Sequence, residues 1–182
     1  MNMRGTTLDN AEGKIVLTGA SYQNQKATYN FEQFTITSSF ENEVREITVS
    51  SPDIISGEVK GKFNLREVPA LFQNSIGSLY ANYQPIEIES NQYLDFNFDI
   101  YNKIVEVVLP DIKLSPNTFI RGSVESEEDD FKLTFNAPQM EVFTNKLQDI
   151  NLQIDNSNPL FNAYLEVDSI STSFYNASKF NL

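Results

Sequence analysis

Glu125, Glu127, Glu128, Asp129 and Asp130 make the densest group of carboxylates in the chain, and clustered carboxylate oxygens are what a calcium ion binds. The spacing is not that of an EF-hand loop, and no glycine lies inside the run to turn the backbone around an ion. The stretch therefore reads as a solvated hairpin tip. Two further pairs, Glu87 with Glu89 and Asp95 with Asp99, have the residue types of a general acid and its base. Each pair falls on one side of a strand at period two, which is equally where a wet face carries its charge. With no His and no Cys in 182 residues, imidazole chemistry, thiolate nucleophiles, disulfides and the usual zinc ligand sets are excluded. The expectation is a protein that is not an enzyme, with no catalytic residue, no metal ligand and no cofactor.

The formal charge of −12 argues against nucleic acid, whose phosphates are held by clustered Lys and Arg, and it disfavours anionic membrane surfaces. No apolar run approaches the roughly 20 residues of a membrane-spanning helix. The first thirteen residues lack the apolar stretch of a secretory signal. Either a cytosolic protein or an internal piece of a longer one fits these features. Asn176, Ala177 and Ser178 match the N-glycosylation pattern.

What remains is apolar patterning, and nearly all of it has period two. Ile55, Gly57, Val59, Gly61 and Phe63 alternate with Ser56, Glu58, Lys60 and Lys62, and Leu94, Phe96, Phe98 and Ile100 alternate with Asp95, Asn97 and Asp99. Strands with one dry and one wet face are expected over Lys14–Ser21, Ala27–Phe40, Val44–Ser50, Ile54–Phe63, Tyr93–Asn102, Thr118–Ser126, Phe131–Asn136, Met140–Asn145, Leu147–Asp155 and Phe161–Ser169. Lys103–Ile112, rich in β-branched residues but interrupted by Pro110, is read as a short strand. Within Ala27–Phe40 the alternation slips by one residue between Phe31 and Phe34, which predicts a bulge or a bend. Phe63, Leu94, Phe96, Phe98, Ile100, Phe131, Leu133 and Phe135 are the candidate lining of one apolar surface. Alternation shows that this face avoids water, not whether a sheet, a helix or a lipid covers it.

One stretch breaks the period. In Asn64–Tyr83 the residues Val68, Leu71, Phe72, Ile76, Leu79, Tyr80 and Tyr83 recur at helical spacing, with Gln73, Asn74, Ser75, Ser78 and Asn82 opposite. Asn64 and Glu67 have capping-box spacing, Pro69 suits a helix start, and Pro85 closes the segment. An amphipathic helix at about residues 65–84 thus divides two β arms, about 13–63 and 92–182. VLTGAS at 16–21, IISGEVKG at 54–61 and FIRGSVES at 119–126 further share an aliphatic residue, a polar residue and then Gly, placing Gly19, Gly57 and Gly122 on the apolar face and supporting a repeated hairpin unit.

The runs ISGEVKGKFNLREVPALFQNSIGSLYANYQP at 55–85, QYLDFNFDIYNKIVEVVLPDIKLSPNTFIRG at 92–122 and LQIDNSNPLFNAYLEVDSI at 152–170 resemble the TamB family in the form found in Bacteroidota. The most specific parts are LFQNSIGSLYANY, DFNFDIYNKIVEVVLP and QIDNSNPLFN. Members are large AsmA-related envelope proteins, anchored in the inner membrane and crossing the periplasm as a β groove with an apolar interior. The resemblance implies a curved, elongated, largely antiparallel sheet and a role in shielding lipid acyl chains between membranes. It equally implies a role in assisting outer-membrane protein assembly with a BamA-like partner. Asp168, Ser169 and Ile170 also look like the triplet O-glycosylated in exported proteins of that group. The chain lacks the anchor and the C-terminal domain of a complete member, so residues 1–182 are expected to be an internal segment, flanked by neighbouring β-repeats of the same chain. The competing reading is a carbohydrate-binding or adhesin-like β sandwich, which needs exposed aromatics on a wet face; a glycosidase built on the paired carboxylates is a third.

Overall fold

The computed structural model describes residues 2–24, 27–78, 82–127, 130–156 and 162–181. They form one open antiparallel sheet with two helices. The strands are β1 (Asn2–Arg4), β2 (Glu12–Gln23), β3 (Thr28–Glu41), β4 (Val44–Ser50), β5 (Ile55–Lys62), β6 (Tyr93–Ile100), β7 (Ile112–Leu114), β8 (Thr118–Glu125), β9 (Phe131–Val142), β10 (Asn145–Asp155), β11 (Asn162–Ser171) and β12 (Asn176–Asn181). Their spatial order is β1-β2-β3-β4-β5-β6-β8-β9-β10-β11-β12, with β7 paired to β9 beside β8. Almost every strand thus lies beside its sequence neighbour. Helix α1 (Val68–Gly77) follows β5, and helix α2 (Asn102–Val108) follows β6.

Two expectations are corrected and a third is narrowed. Lys103–Ile112 is not a strand, because β6 and β8 pair directly with each other from Tyr93↔Glu125 to Ile100↔Thr118 and leave no strand for it to join. A helix satisfies its backbone internally where a lone strand could not. Asn102 fixes its start, donating from Nδ2 to Glu106 at 2.6 Å and accepting the Leu114 N–H at 2.7 Å.

The break between the strands expected at Phe131–Asn136 and Met140–Asn145 is absent, and β9 runs through Pro138 to Val142. Proline is tolerated there because Gln139 turns both its backbone groups toward Ser115, so the Pro138 nitrogen faces β10, where the pairing passes from Gln148↔Gln139 to Ile150↔Ala137 and skips Asp149. Asp149 itself adopts φ +50.

Finally, the slip in β3 occurs without an inserted residue. Thr18↔Gln33 and Ala20↔Phe31 keep a constant register, and the irregularity sits at Gly19, whose φ of +64 belongs to the left-handed region. Both strands change face together. Leu17, Ala20, Phe31 and Phe34 consequently line a single cavity of about 220 Å³ with Ile54 and Gln33.

The core sits between α1 and the middle of the sheet, around Phe63, Leu71, Leu94, Phe96, Val124 and Phe131. A smaller cluster of Ala137, Ile150 and Val167 lies on β9–β11.

Candidate functional site

Cross-strand partners share a face, and their register traces the apolar surface from strand to strand. Ile15, Ile36, Val49, Gly57, Phe98, Ile120, Phe135, Leu152 and Leu165 form a ladder across nine strands, each the partner of the next. All nine are half-buried. A second row, Ile47, Val59, Phe96, Gly122, Leu133 and Ile154, runs parallel to it. A third holds Gly61, Leu94, Val124 and Phe131.

Helix α1 covers the third row and part of the second. Leu71 is fully buried, and the Phe72 ring meets Phe96 and Phe131 edge-on at centroid distances of 5.7 and 6.0 Å. Of the sequence-derived lining, Phe63, Leu94, Phe96 and Phe131 are therefore buried, whereas Phe98, Ile100, Leu133 and Phe135 remain half-buried. Two glycines of the proposed repeat make room for aromatic rings. A Cβ on Gly57 would lie 2.7 Å from the Phe98 ring, and one on Gly122 would lie 2.6 Å from the Phe96 ring. Gly19 plays no such part, since nothing lies within 4 Å of its missing Cβ.

The helix is shorter and differently rotated than its apolar stripe predicts. Among the described residues it ends at Gly77; Leu79 and Tyr80 lie outside the described residues. Val68 and Phe72 are half-buried, but Ile76 is 44% exposed while Asn74 and Ser75 are buried. Asn74 faces inward because it clasps the returning chain: its Nδ2 donates to the Ile86 carbonyl at 2.8 Å, and its Oδ1 accepts from Ile86 N–H at 2.9 Å and Tyr83 Oη at 2.8 Å. Tyr83 belongs to this returning segment, and its ring lies over Gly77, 2.5 Å from where a Cβ would stand.

A second clasp holds the other end of α1. Glu67 Oε2 accepts from Gln92 Nε2 at 2.6 Å and from the Glu89 N–H at 3.1 Å, while Gln92 Oε1 accepts the Asn64 N–H at 2.7 Å. Glu67 itself is the N-cap residue, without a side-chain cap bond, so Asn64 and Glu67 join a turn before the helix rather than a capping box. Pro69 occupies the first helical turn. Sequence patterning gave no sign of Gln92 or of the inward role of Asn74.

Two charged groups mark the N-terminal arm. Arg45, on β4 opposite Gly61, is buried; its guanidinium donates to Ser38 Oγ at 3.1 Å and to the Leu8 and Ala11 carbonyls at 2.9 and 3.2 Å, and it lies 5.2 Å from the Phe40 ring centroid. Burial lowers its pKa against the opposing pull of Asp9. Asp53 pairs with Lys103 on α2. Burial opposes its ionisation, but hydrogen bonds from Lys103 and Ser51 and the Lys103 charge outweigh it and hold the carboxyl below its ordinary range.

The carboxylates do not converge. Asp95 and Asp99 are exposed on the face opposite Phe96 and Phe98, and Glu87 and Glu89 are exposed in the segment after α1. Glu127 accepts the Asn91 N–H at 2.8 Å, Glu125 is exposed, and Glu128 and Asp129 lie outside the described residues. No three acidic side chains are grouped to hold a metal ion among the described residues. Asn176 is exposed on β12, and Ser169 on β11 donates to Gln148 Oε1 at 3.0 Å. No helix of the described residues is long and apolar enough to cross a membrane. Comparisons with protein-family models, with curated proteins and with solved structures give no match.

Proposed function

We propose that this chain is a non-enzymatic segment of a TamB-like protein of the cell envelope, in which the apolar sheet face shields lipid acyl chains in the periplasm. Inter-membrane lipid transport, assistance to outer-membrane β-barrel assembly with a BamA-like partner, or both would be its purpose. The observation that supports this most is the nine-residue ladder, half-buried at every position and extending beyond the cover of α1 on both sides. The strip runs from β2 to β11 without any of its nine residues being closed off as core. Its chemistry suits hydrocarbon, which asks for area and no hydrogen bonds. The sugar-binding alternative draws little support, because the exposed tyrosines of the polar face, Tyr93 and Tyr164, stand on β6 and β11 with three strands between them.

Native mass spectrometry after mild extraction should find acyl lipid bound, and a photoreactive residue at Phe98 should crosslink to it. Absence of both, or a photoreactive residue at exposed Asp95 labelling lipid as well as one at Phe98, would remove the proposal.

A further inference from the structure

The end of the sheet remote from α1 carries the most exposed apolar side chains of the described residues. Phe174 is 98% exposed, Phe143 and Tyr175 are each 68% exposed, and Val108 and Leu109 are exposed beside them. They come from separate connections that the register brings together. Ile112↔Val142 sets the α2–β7 connection against the β9–β10 turn, with the Phe143 N–H donating to the Asp111 carbonyl at 2.7 Å. Lys146↔Ser171 sets that turn beside the β11–β12 turn. Three neighbouring connections thus present apolar tips at one sheet end.

These tips are built rather than incidental. Phe143 has φ +56, a left-handed conformation that turns normally give to Gly or Asn and that is uncommon for a bulky side chain. The Phe174 turn is braced by Thr172, whose Oγ1 accepts from the Phe174 and Tyr175 N–H groups at 3.2 and 2.8 Å and donates to the Tyr175 carbonyl at 2.9 Å. A turn fixed this firmly holds the Phe174 ring in water, where it has almost no contact with its own chain.

We propose that this sheet end docks on a lipid bilayer, inserting Phe143, Phe174, Val108 and Leu109 below the headgroups with Tyr175 at the interface. Apolar side chains projecting from three separate connections suit a deformable apolar medium, whereas a protein partner would require a preformed pocket for each. Tyr at the rim has the amphipathic character of interfacial aromatics. Charge selects the kind of bilayer. Lys113 is paired with Glu141 at 3.2 Å, Lys146 and Asp111 stand close by in sequence and register, and the whole chain is at −12. Nothing there attracts an anionic surface, so the matching headgroup is zwitterionic. The apolar residues of β9–β11, Met140, Leu147 and Ile170 among them, lead from this end toward the ladder. Docking needs the tips alone, whether or not lipid is carried along that face.

The chain contains no Trp, so a single Phe174→Trp is a unique reporter. With phosphatidylcholine vesicles its emission should shift to the blue and be quenched by bromine on the acyl chains; Leu8→Trp, exposed on the N-terminal arm, should show neither change. Phe174→Ser should weaken vesicle partitioning about tenfold or more. Phe143→Gly should weaken partitioning while leaving thermal stability unchanged or raised, because it relieves the backbone. That opposition of signs separates docking from folding. Equal partitioning of wild type and Phe174→Ser, a Leu8→Trp shift matching that of Phe174→Trp, or no partitioning at all would overturn the proposal. Self-association abolished by Phe174→Ser without vesicle binding would overturn it in favour of a contact between copies. Lipid crosslinking at Phe98 tests the acyl-chain reading separately, so either reading can fail while the other stands.

Discussion

Under α1 the sheet face is dry: Leu71 is fully buried, and Phe72 locks edge-on against Phe96 and Phe131. Two rows further along the same strands, Ile100 is half-buried, and beyond β9 Phe143 stands in water. The strands themselves do not differ between these regions, since Leu94, Phe96, Phe98 and Ile100 sit at consecutive positions of one alternation. Only the segment between β5 and β6 distinguishes them. Strand patterning therefore makes an apolar face, and a separately encoded lid decides how much of it is core.

The sharpest way to break that contrast is Leu71→Ala, which should cost about 2–5 kcal/mol in chemical denaturation, as for a fully buried leucine with little room to relax. A loss below about 0.5 kcal/mol would mean that α1 is not the lid described here. Next in size, Asn74→Ala should cost about 1–3 kcal/mol, because the Ile86 N–H and carbonyl lose their partner. Hydrogen exchange should quicken at Ile86 before the sheet opens; uniform exchange would show that the clasp does not hold the returning chain. On the uncovered side, Phe98→Ala should cost less than Leu71→Ala, about 1 kcal/mol, yet reduce lipid capture more. Equal stability losses at the two sites would erase the distinction between core and open face.

Asp53 gives the smallest effect. Its folded pKa lies below its ordinary 3.8, so the stability it contributes is fully present above that value and disappears as pH falls through the lower folded one. Asp53→Asn should therefore be less stable than wild type at neutral pH, and the gap should close in acid. A gap that did not narrow as the pH falls would assign the effect to shape rather than charge.

Much of this was legible because β5 and β6 are one-sided at every position, so Ile54–Phe63 and Tyr93–Asn102 are recognisable without knowing their partners. Contacts distant in sequence were not legible in the same way. Asn74 and Ser75 were assigned to the wet side of the helix on polarity, yet they are buried; Asn74 is satisfied by a chain segment more than eight residues later, which no helical period encodes. Ile76 lost its place on the inner side through the same rotation. The β-branched run Ile104–Val108 is helical because β6 and β8 meet without it, a fact of topology that overrides propensity. Pro138 failed as a strand breaker because the missing N–H falls where the pairing of β9 with β10 skips Asp149.

The nearly sequential strand order also bears on how the molecule is made. Each of β2 to β5 finds its first neighbour in the strand synthesised just before it, so these pairings close short loops and carry little entropic cost. An emerging chain can then zip in the direction of synthesis, with the last strand formed presenting the growing edge. The exceptions are the connection from β5 to β6, which carries α1, and the passage from β6 to β8, where α2 must step aside before β9 can receive β7. If assembly pauses anywhere, this passage is where a half-built sheet would wait with its growing edge uncovered.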